Sequence, residues 1–398
     1  MITVDEALAI ISEACAPGVP ERISLREGFH RVLAREIRSD VDWPPFDTSA
    51  MDGYAVRLAD VTVAGAALSE RPGLVAAGDR PAAPLAPGEA VRVMTGAPVP
   101  DGTEAVVPVE EIHQEAGRIV TRYVPRSSEH LRRRGESVAA GSVLLPEGRR
   151  LTPADVALTA LAGADPLEVH RRPRVSIAVT GNELVPSAGK PGPGQLRDSN
   201  GPMLLSLCRG GGWCAAARPV VRDEEGAVRD LFAEAGREED VLITSGGVSA
   251  GDLDLLPEQA ERSGFEVLFH RVAIRPGKPI AFGRRGKTLW FGLPGNPVST
   301  SVCFHVFVRH ALDSLEGAQP PGPRFVPARL SRDISIRGRR ETYRDALMET
   351  VDSENRVAAL ASRGSHDLAA HARANALIRI PADAEHLTAG TLVECLIL

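Results

Sequence analysis

Between residues 171 and 318 short apolar runs alternate with amphipathic segments, and that alternation restricts the fold more than any other feature of the chain. Arg174 to Val179, Ala215 to Val221 and Val241 to Thr244 read as strands, with further short strands near Val267 to Phe269 and Thr288 to Phe291. Gly201 to Arg209 and Glu224 to Ala235 read as helices, and a longer helix is expected from Val298 to Leu315. Strands separated by helices run parallel, so this region is expected to form a parallel sheet covered by helices on both faces. Ligands of such sheets bind beyond the carboxyl ends of the strands. TGNEL from Thr180 and SGGVSAGDLD from Ser245 stand there, with RPGKP from Arg275 and FGLPGNPVS from Phe291 further on.

The flanks follow other patterns. Thr3 to Cys15 carries Val4, Ala7, Leu8, Ile11 and Ala14 at helical spacing behind a Thr3 cap, and Leu25 to Arg35 reads as a second helix. From DVDWPPFDTSAMDGYAV to about Gly141, the runs Ala90 to Met94, Ala105 to Val109 and Arg118 to Val124 lie between Gly and Pro, an all-β signature. Thr152 to Leu161 is helical again, capped by Thr152 with Pro153 at the first helical position. Beyond the proline-rich stretch Gly317 to Pro323, strands near Phe325 to Leu330, Tyr343 to Thr350, Arg356 to Ala359, Ala376 to Pro381 and Thr391 to Leu398 read as a small barrel. The expected fold is multidomain α/β. It comprises an elongated helical unit (1–40 with 141–170), an inserted β domain (41–140), a three-layer α/β domain (171–318) and a C-terminal β-barrel (319–398). Leu8, Ile11, Leu158 and Leu161 of the elongated unit are expected to need a partner surface, which points to a homodimer.

Composition narrows the function. A net charge of −6 and an aromatic content of 4% argue against a nucleic-acid-binding surface. The five cysteines are scattered without a close pair, so reduced thiols are expected rather than a disulfide or zinc framework. The acidic N-terminus and the absence of any apolar run long enough to span a bilayer point to a cytoplasmic protein without membrane contact.

The turns carry the chemistry. Ser245-Gly246-Gly247 lets backbone N–H groups converge on an anion, and glycine permits close approach. Asp252 and Asp254 beyond it would repel a phosphate unless a hard cation intervened, and magnesium is held by one or two carboxylates plus phosphate oxygens. Asp252 also suits a cap for the helix beginning near Leu255, which leaves the metal role chiefly to Asp254. RPGKP presents Arg275 and Lys278 around a Pro-Gly turn, an arrangement suited to an oxyanion; a solvated basic loop is the plainer alternative. FGLPGNPVS opens a helix whose N-terminus, with Ser299 in its first turn, also attracts anions.

FDTSAMDGYAV, VRVMTGAPVPDG, TGNEL, SGGVSAGDLD, RPGKP and FGLPGNPVS occur in the order found in the molybdopterin molybdenumtransferases. The chain resembles that family, the bacterial MoeA proteins and the E domain of gephyrin-like proteins, over essentially its whole length. The resemblance implies an elongated four-part protomer that dimerises and inserts molybdate into adenylylated molybdopterin with release of AMP. It implies that Ser245, Gly246, Gly247, Ser249, Pro294, Gly295 and Asn296 receive the nucleotide-activated pterin, with magnesium at Asp254 or Asp252. Arg275, Lys278, the Pro279 backbone, Ser299, Arg344 and Ser365 would form the molybdate pocket. Glu183, Asp223, Asp52 and Thr95 would be polar cleft residues, the last two reaching the partner subunit so that the active site is shared. The adenylyltransferase of the same pathway is the implied protein partner. Position 275 departs from the family pattern, with arginine where lysine is frequent. Two other functions compete: adenylylation of molybdopterin, as in single-domain relatives, and a non-catalytic scaffold of the gephyrin type. The β insertion and the barrel weigh against the first.

Overall fold

The computed structural model describes residues 1–80, 82–115, 117–248, 255–336 and 338–398. Its centre is a six-stranded sheet in the order Cys214–Ala217, Arg174–Val179, Val241–Ser245, Thr288–Leu293, Ala281–Arg285, Glu266–His270. The first four strands are parallel, as the helical crossovers require. The other two add an antiparallel edge. Its origin is local, because Ala281–Arg285 and Thr288–Leu293 are joined only by Gly286 and Lys287, and a two-residue link can connect only antiparallel neighbours.

Both central strands are buried along their whole length, because helices cover each face. On one face Leu204, Cys208, Val302, Phe304 and Phe307 pack on Ile177, Ile243 and Phe291. On the other, Val228, Phe232, Leu256 and Ala260 pack on Leu242 and Trp290. The long helix after Asn296 runs as Pro297–Cys303, a π-helical turn at Phe304–Val308, and Arg309–Leu315.

The first helix, Val4–Ala14, starts at the expected Thr3 with a full capping box. Its apolar face does not wait for a second subunit: Val4, Ala7 and Ile11 are buried in the α/β core, with Leu8 packed against it. Of the four apolar positions expected to need a partner surface, Leu8 and Ile11 are therefore covered within the chain. The second expected helix also fails. Only Leu25–Glu27 is helical, as a 3-10 turn, after which Val32 and Leu33 bridge to Arg150 and Val169. Both side chains are fully buried there, so tertiary pairing overrides a helical spacing of apolar residues.

The inserted domain is a six-stranded sheet with apolar packing on both sides, around Val91 and Val106 on one and Tyr54 and Val107 on the other. In the C-terminal domain Glu341–Val351, Glu354–Ala359, Phe325–Leu330, Leu392–Ile397 and Ala376–Ile380 close on themselves, since the last strand pairs back to the first. This is the expected five-stranded barrel. Ile274–Arg275, from the α/β domain, adds to it in parallel beside Glu341–Thr342.

Arg150 ties the elongated unit to the long helix. Its Nη2 donates to Asp313 at 2.8 Å and to Glu316 at 2.7 Å, and the Trp213 indole donates to the same Glu316 oxygen at 2.9 Å. Burial pushes both acids above the usual carboxylate range, against the pull of Arg150. They therefore hold protons more tightly in the native than in the unfolded state, and ionising them as pH rises costs stability. Arg150→Ala is expected to lower unfolding free energy by about 3–5 kcal/mol at pH 8. That deficit should shrink as pH falls and the orphaned acids protonate. Urea unfolding over a pH series measures it, and a deficit independent of pH would dissociate Arg150 from these carboxyls.

Candidate active site

The carboxyl ends of Arg174–Val179, Val241–Ser245 and Thr288–Leu293 open on a cavity of about 1060 Å³. Turns after each of these strands line it, together with the RPGKP turn and Gly364 to His366 from the barrel domain. The turn after the central strand depends on Gly246, whose φ is 104° and whose Cβ, if present, would overlap the Thr180 carbonyl oxygen. Gly247 also has positive φ, and both glycines line the cavity. Ser245, expected among the ligand-binding groups, is fully buried. Its hydroxyl donates to the Pro294 carbonyl at 3.0 Å and accepts from Asn200 at 2.9 Å, so it braces two turns from within the cavity wall.

The RPGKP turn is held from two sides. Ile274–Arg275 pairs with the barrel, and Gly277, at φ 119°, lies so close to Cys303 that a Cβ would overlap its sulfur. Arg275, Lys278 and Pro279 line the cavity beside Ser299, which is 4% exposed in the first turn of its helix. Lys278 is exposed and makes no ion pair among the described residues. Ser365 is locked to the opposite turn: Asn296 Nδ2 donates to its hydroxyl at 2.9 Å, and the Val298 N–H donates to its carbonyl at 3.1 Å. Arg344 lies outside this cavity, in an adjoining one of about 610 Å³ that shares Arg275, Pro276, Gly364 and Ser365. Burial and then the charge of Arg275 hold Arg344 below the ordinary guanidinium value.

Glu183 and Asp223 line the cavity with Asp198, on loops joined to one another. The Asp223 N–H donates to Asn182, and the Leu196 N–H to the Glu183 carbonyl. Pro294, Gly295 and Asn296 are also in the wall. Asp52 and Thr95 are not: they sit in the inserted domain, where the Thr95 N–H and hydroxyl donate to the Asp52 carboxylate at 2.7 and 2.8 Å. Those two bonds hold Asp52 below the usual carboxylate range. Ser249, Asp252 and Asp254 lie outside the described residues. Among those described, no three His, Cys, Asp or Glu side chains gather as a metal cage. Sequence reading missed Thr180, Asp198, Asn200 and Arg340, all in the wall. The run RDSNG (Arg197 to Gly201) ahead of a helix was a usable signal for the middle two, since such residues favour helix starts.

A sheet-end cleft with glycine turns, cations fixed on one turn and acids on facing loops defines an α/β enzyme acting on a phosphate-bearing or oxyanion substrate. Known proteins narrow this. Family models match residues 2–163 (MoeA N-terminal region, domain I and II), 176–314 (Probable molybdopterin binding domain) and 323–398 (MoeA C-terminal region, domain IV). The chain is 33% identical to the molybdopterin molybdenumtransferase of Haemophilus influenzae, covering 99% of this chain and 98% of that one. It is 36% identical to molybdopterin molybdenumtransferase 2 of Mycobacterium tuberculosis, covering 99% of both. The crystal structure of the molybdopterin biosynthesis moeA protein from Pyrococcus horikoshii OT3 superposes with a TM-score of 0.84 at 29% identity over the full length of both chains. The chain belongs to the molybdopterin molybdenumtransferases, transferases of molybdenum cofactor biosynthesis.

Gly246→Ala tests the glycine turn. The backbone conformation alone is expected to cost about 1–3 kcal/mol, and displacement of the turn should abolish AMP binding measured by calorimetry. Native AMP affinity in a folded variant would take the turn out of nucleotide recognition.

Proposed function

We propose that this cleft binds adenylylated molybdopterin and molybdate together and joins them with release of AMP. The observation that carries the reading is the convergence of the RPGKP cations, the N-terminus of the long helix and Ser365 on a cavity floored by the glycine turn. Molybdate is a dianion that must approach an already anionic dithiolene and pyrophosphate. Arg275, Lys278 and the helix N-terminus offset that repulsion in advance, and the glycine turn offers N–H groups to the phosphate. Arg344 and Arg275 extend the positive field into the adjoining cavity, a route for the oxyanion to enter.

Magnesium fits this donor set only as an ion shared with the substrate. Glu183, Asp198 and Asp223 supply carboxylate oxygens in the wall, yet among the described residues no three such side chains gather as a cage, which suits an ion that keeps waters and leans on phosphate oxygens. Such an ion would polarise the pyrophosphate towards AMP departure. Asp52 and Thr95, absent from the cleft of their own chain, are read as completing the cleft of a second subunit in a homodimer. The adenylyltransferase of the pathway is the natural partner, because it delivers an activated and hydrolysable ligand. No helix among the described residues is long and apolar enough to cross a membrane, and we infer a cytoplasmic site of action.

Lys278→Ala removes one charge-assisted contact worth about 1.5–3 kcal/mol. It is expected to raise the molybdate concentration for half-maximal activity roughly 10- to 150-fold, with AMP affinity little changed. A lowered ceiling at an unchanged half-saturation point would move Lys278 into chemistry or nucleotide handling.

Co-expression of Lys278→Ala with Asp52→Ala chains tests the shared site. Mixed dimers then hold one intact cleft each, so at molybdate concentrations well below the half-saturation point of Lys278→Ala the mixture should regain about a quarter of wild-type activity while each variant alone stays low. No recovery in verified mixed dimers would confine Asp52 to its own subunit.

A further inference from the structure

Three segments bring side chains to the oxyanion pocket and its adjoining cavity. The helix Pro297–Cys303 carries Ser299, the strand Glu341–Val351 carries Arg344, and the loop leading into the helix Leu368–His371 carries Ser365. Behind the pocket the same three segments are joined by a hydrogen-bonded chain. His371 Nε2 lies 2.9 Å from the Ser301 hydroxyl, and His371 Nδ1 lies 2.7 Å from Asp345 Oδ1. Ser301, His371 and Asp345 are 2%, 8% and 7% exposed. An ionised carboxylate only accepts, so Nδ1–H donates to it, and with the ring neutral Nε2 accepts from the Ser301 O–H.

That bonding order is the one found in serine hydrolases, but access runs the wrong way. Ser301 and His371 line neither cavity, while Asp345 lines the smaller one. A nucleophile enclosed in a helix, with the carboxylate end nearest the opening, has no path to a substrate carbonyl. What the chain does join is informative: Ser301 shares a helix with Ser299, Asp345 is next to Arg344, and His371 ends the segment that Ser365 begins.

We propose that Ser301, His371 and Asp345 are positioning residues, a buried brace that fixes Ser299, Arg344 and Ser365 relative to one another for the incoming oxyanion. The proposal rests on the assignment of that pocket to molybdate. The need is physical, because these groups come from two domains and a misplacement of about 1 Å can cost on the order of 100-fold in rate. Other bonds join the segments only in part: Val298 N–H reaches the Ser365 carbonyl at 3.1 Å, and Leu360 N–H the Asp345 carbonyl at 2.8 Å. The brace sets all three against each other.

The test compares Ser301→Ala, Asp345→Ala and Asp345→Asn. Asparagine keeps the shape, and its amide meets Nδ1 either through Oδ1 as acceptor or through Nδ2 as donor, so the chain to Ser301 persists in either order. Calorimetric titration of the AMP-loaded protein with molybdate is expected to give affinities about tenfold weaker or worse for both alanine variants. Asp345→Asn should lie near wild type, and AMP affinity should move far less than molybdate affinity throughout. Should Asp345→Ala fail to fold, Ser301→Ala, which removes a single hydroxyl, carries the test. Alanine variants with native molybdate affinity overturn the brace, whatever their melting temperatures. An Asp345→Asn variant as weak as Asp345→Ala overturns it too, and labelling of Ser301 by a fluorophosphonate would restore the nucleophile reading. Wild-type protein that binds no molybdate would instead sink the pocket assignment, independently of the brace.

Discussion

The site depends on a very short piece of β-sheet, the parallel pairing of Ile274–Arg275 with Glu341–Thr342. The barrel is closed, so its strands have few free backbone groups to offer another domain. The start of its longest strand takes a neighbour from outside, and that neighbour begins the RPGKP turn. Thr342 pairs with Ile380 inside the barrel and with Arg275 outside it. Glu341 is held by Arg379, whose guanidinium donates to it at 3.0 Å and stacks over Phe325. The direction of the Arg275 backbone is therefore set by the packing of a different domain.

This explains how charge is distributed in the cleft. Cations stand on a turn whose backbone is clamped between the barrel and Cys303. Acids stand on loops after the parallel strands, linked through Asn182 and the Glu183 backbone. The proposed reaction, which brings a dianion up to a phosphoanhydride, would use both, fixed positive charge for the approach and oxygen ligands for a shared cation. Arg150, Asp313, Glu316 and Trp213 do comparable work further away, keeping the elongated unit and the long helix in one register.

Much of this was legible beforehand, and the failures have physical causes. The parallel strands were readable because continuous apolar runs bounded by glycine have few alternatives. Leu25 to Arg35 was misread because spacing cannot tell that Val32 and Leu33 will be claimed by bridges to Arg150 and Val169. The role of Ile11 was misread for a related reason, since an amphipathic face shows that a helix needs a partner but not which one. Ser245 begins a glycine turn and stands in the cavity wall, but the partners of its hydroxyl could not be read from the chain. Its hydroxyl is in fact spent on Pro294 and Asn200, nearly 50 and 45 residues away in sequence.

The sequence by itself determined the elements and the chemistry they could carry: helices from capping and spacing, turns from glycine, and anion-binding groups from RPGKP and GLPGNPVS. These are local properties, decided by backbone sterics and side-chain type within a few residues. Only the tertiary structure decided which of those groups face one ligand. It brought Arg275, Lys278, Ser299 and Ser365 to one cavity, moved Arg344 to the next, and left Asp52 with Thr95 in another domain. Ser301, His371 and Asp345 carry no mutual signal in the chain, because a hydrogen bond of 2.7 Å between residues from different elements exists only once the domains are packed.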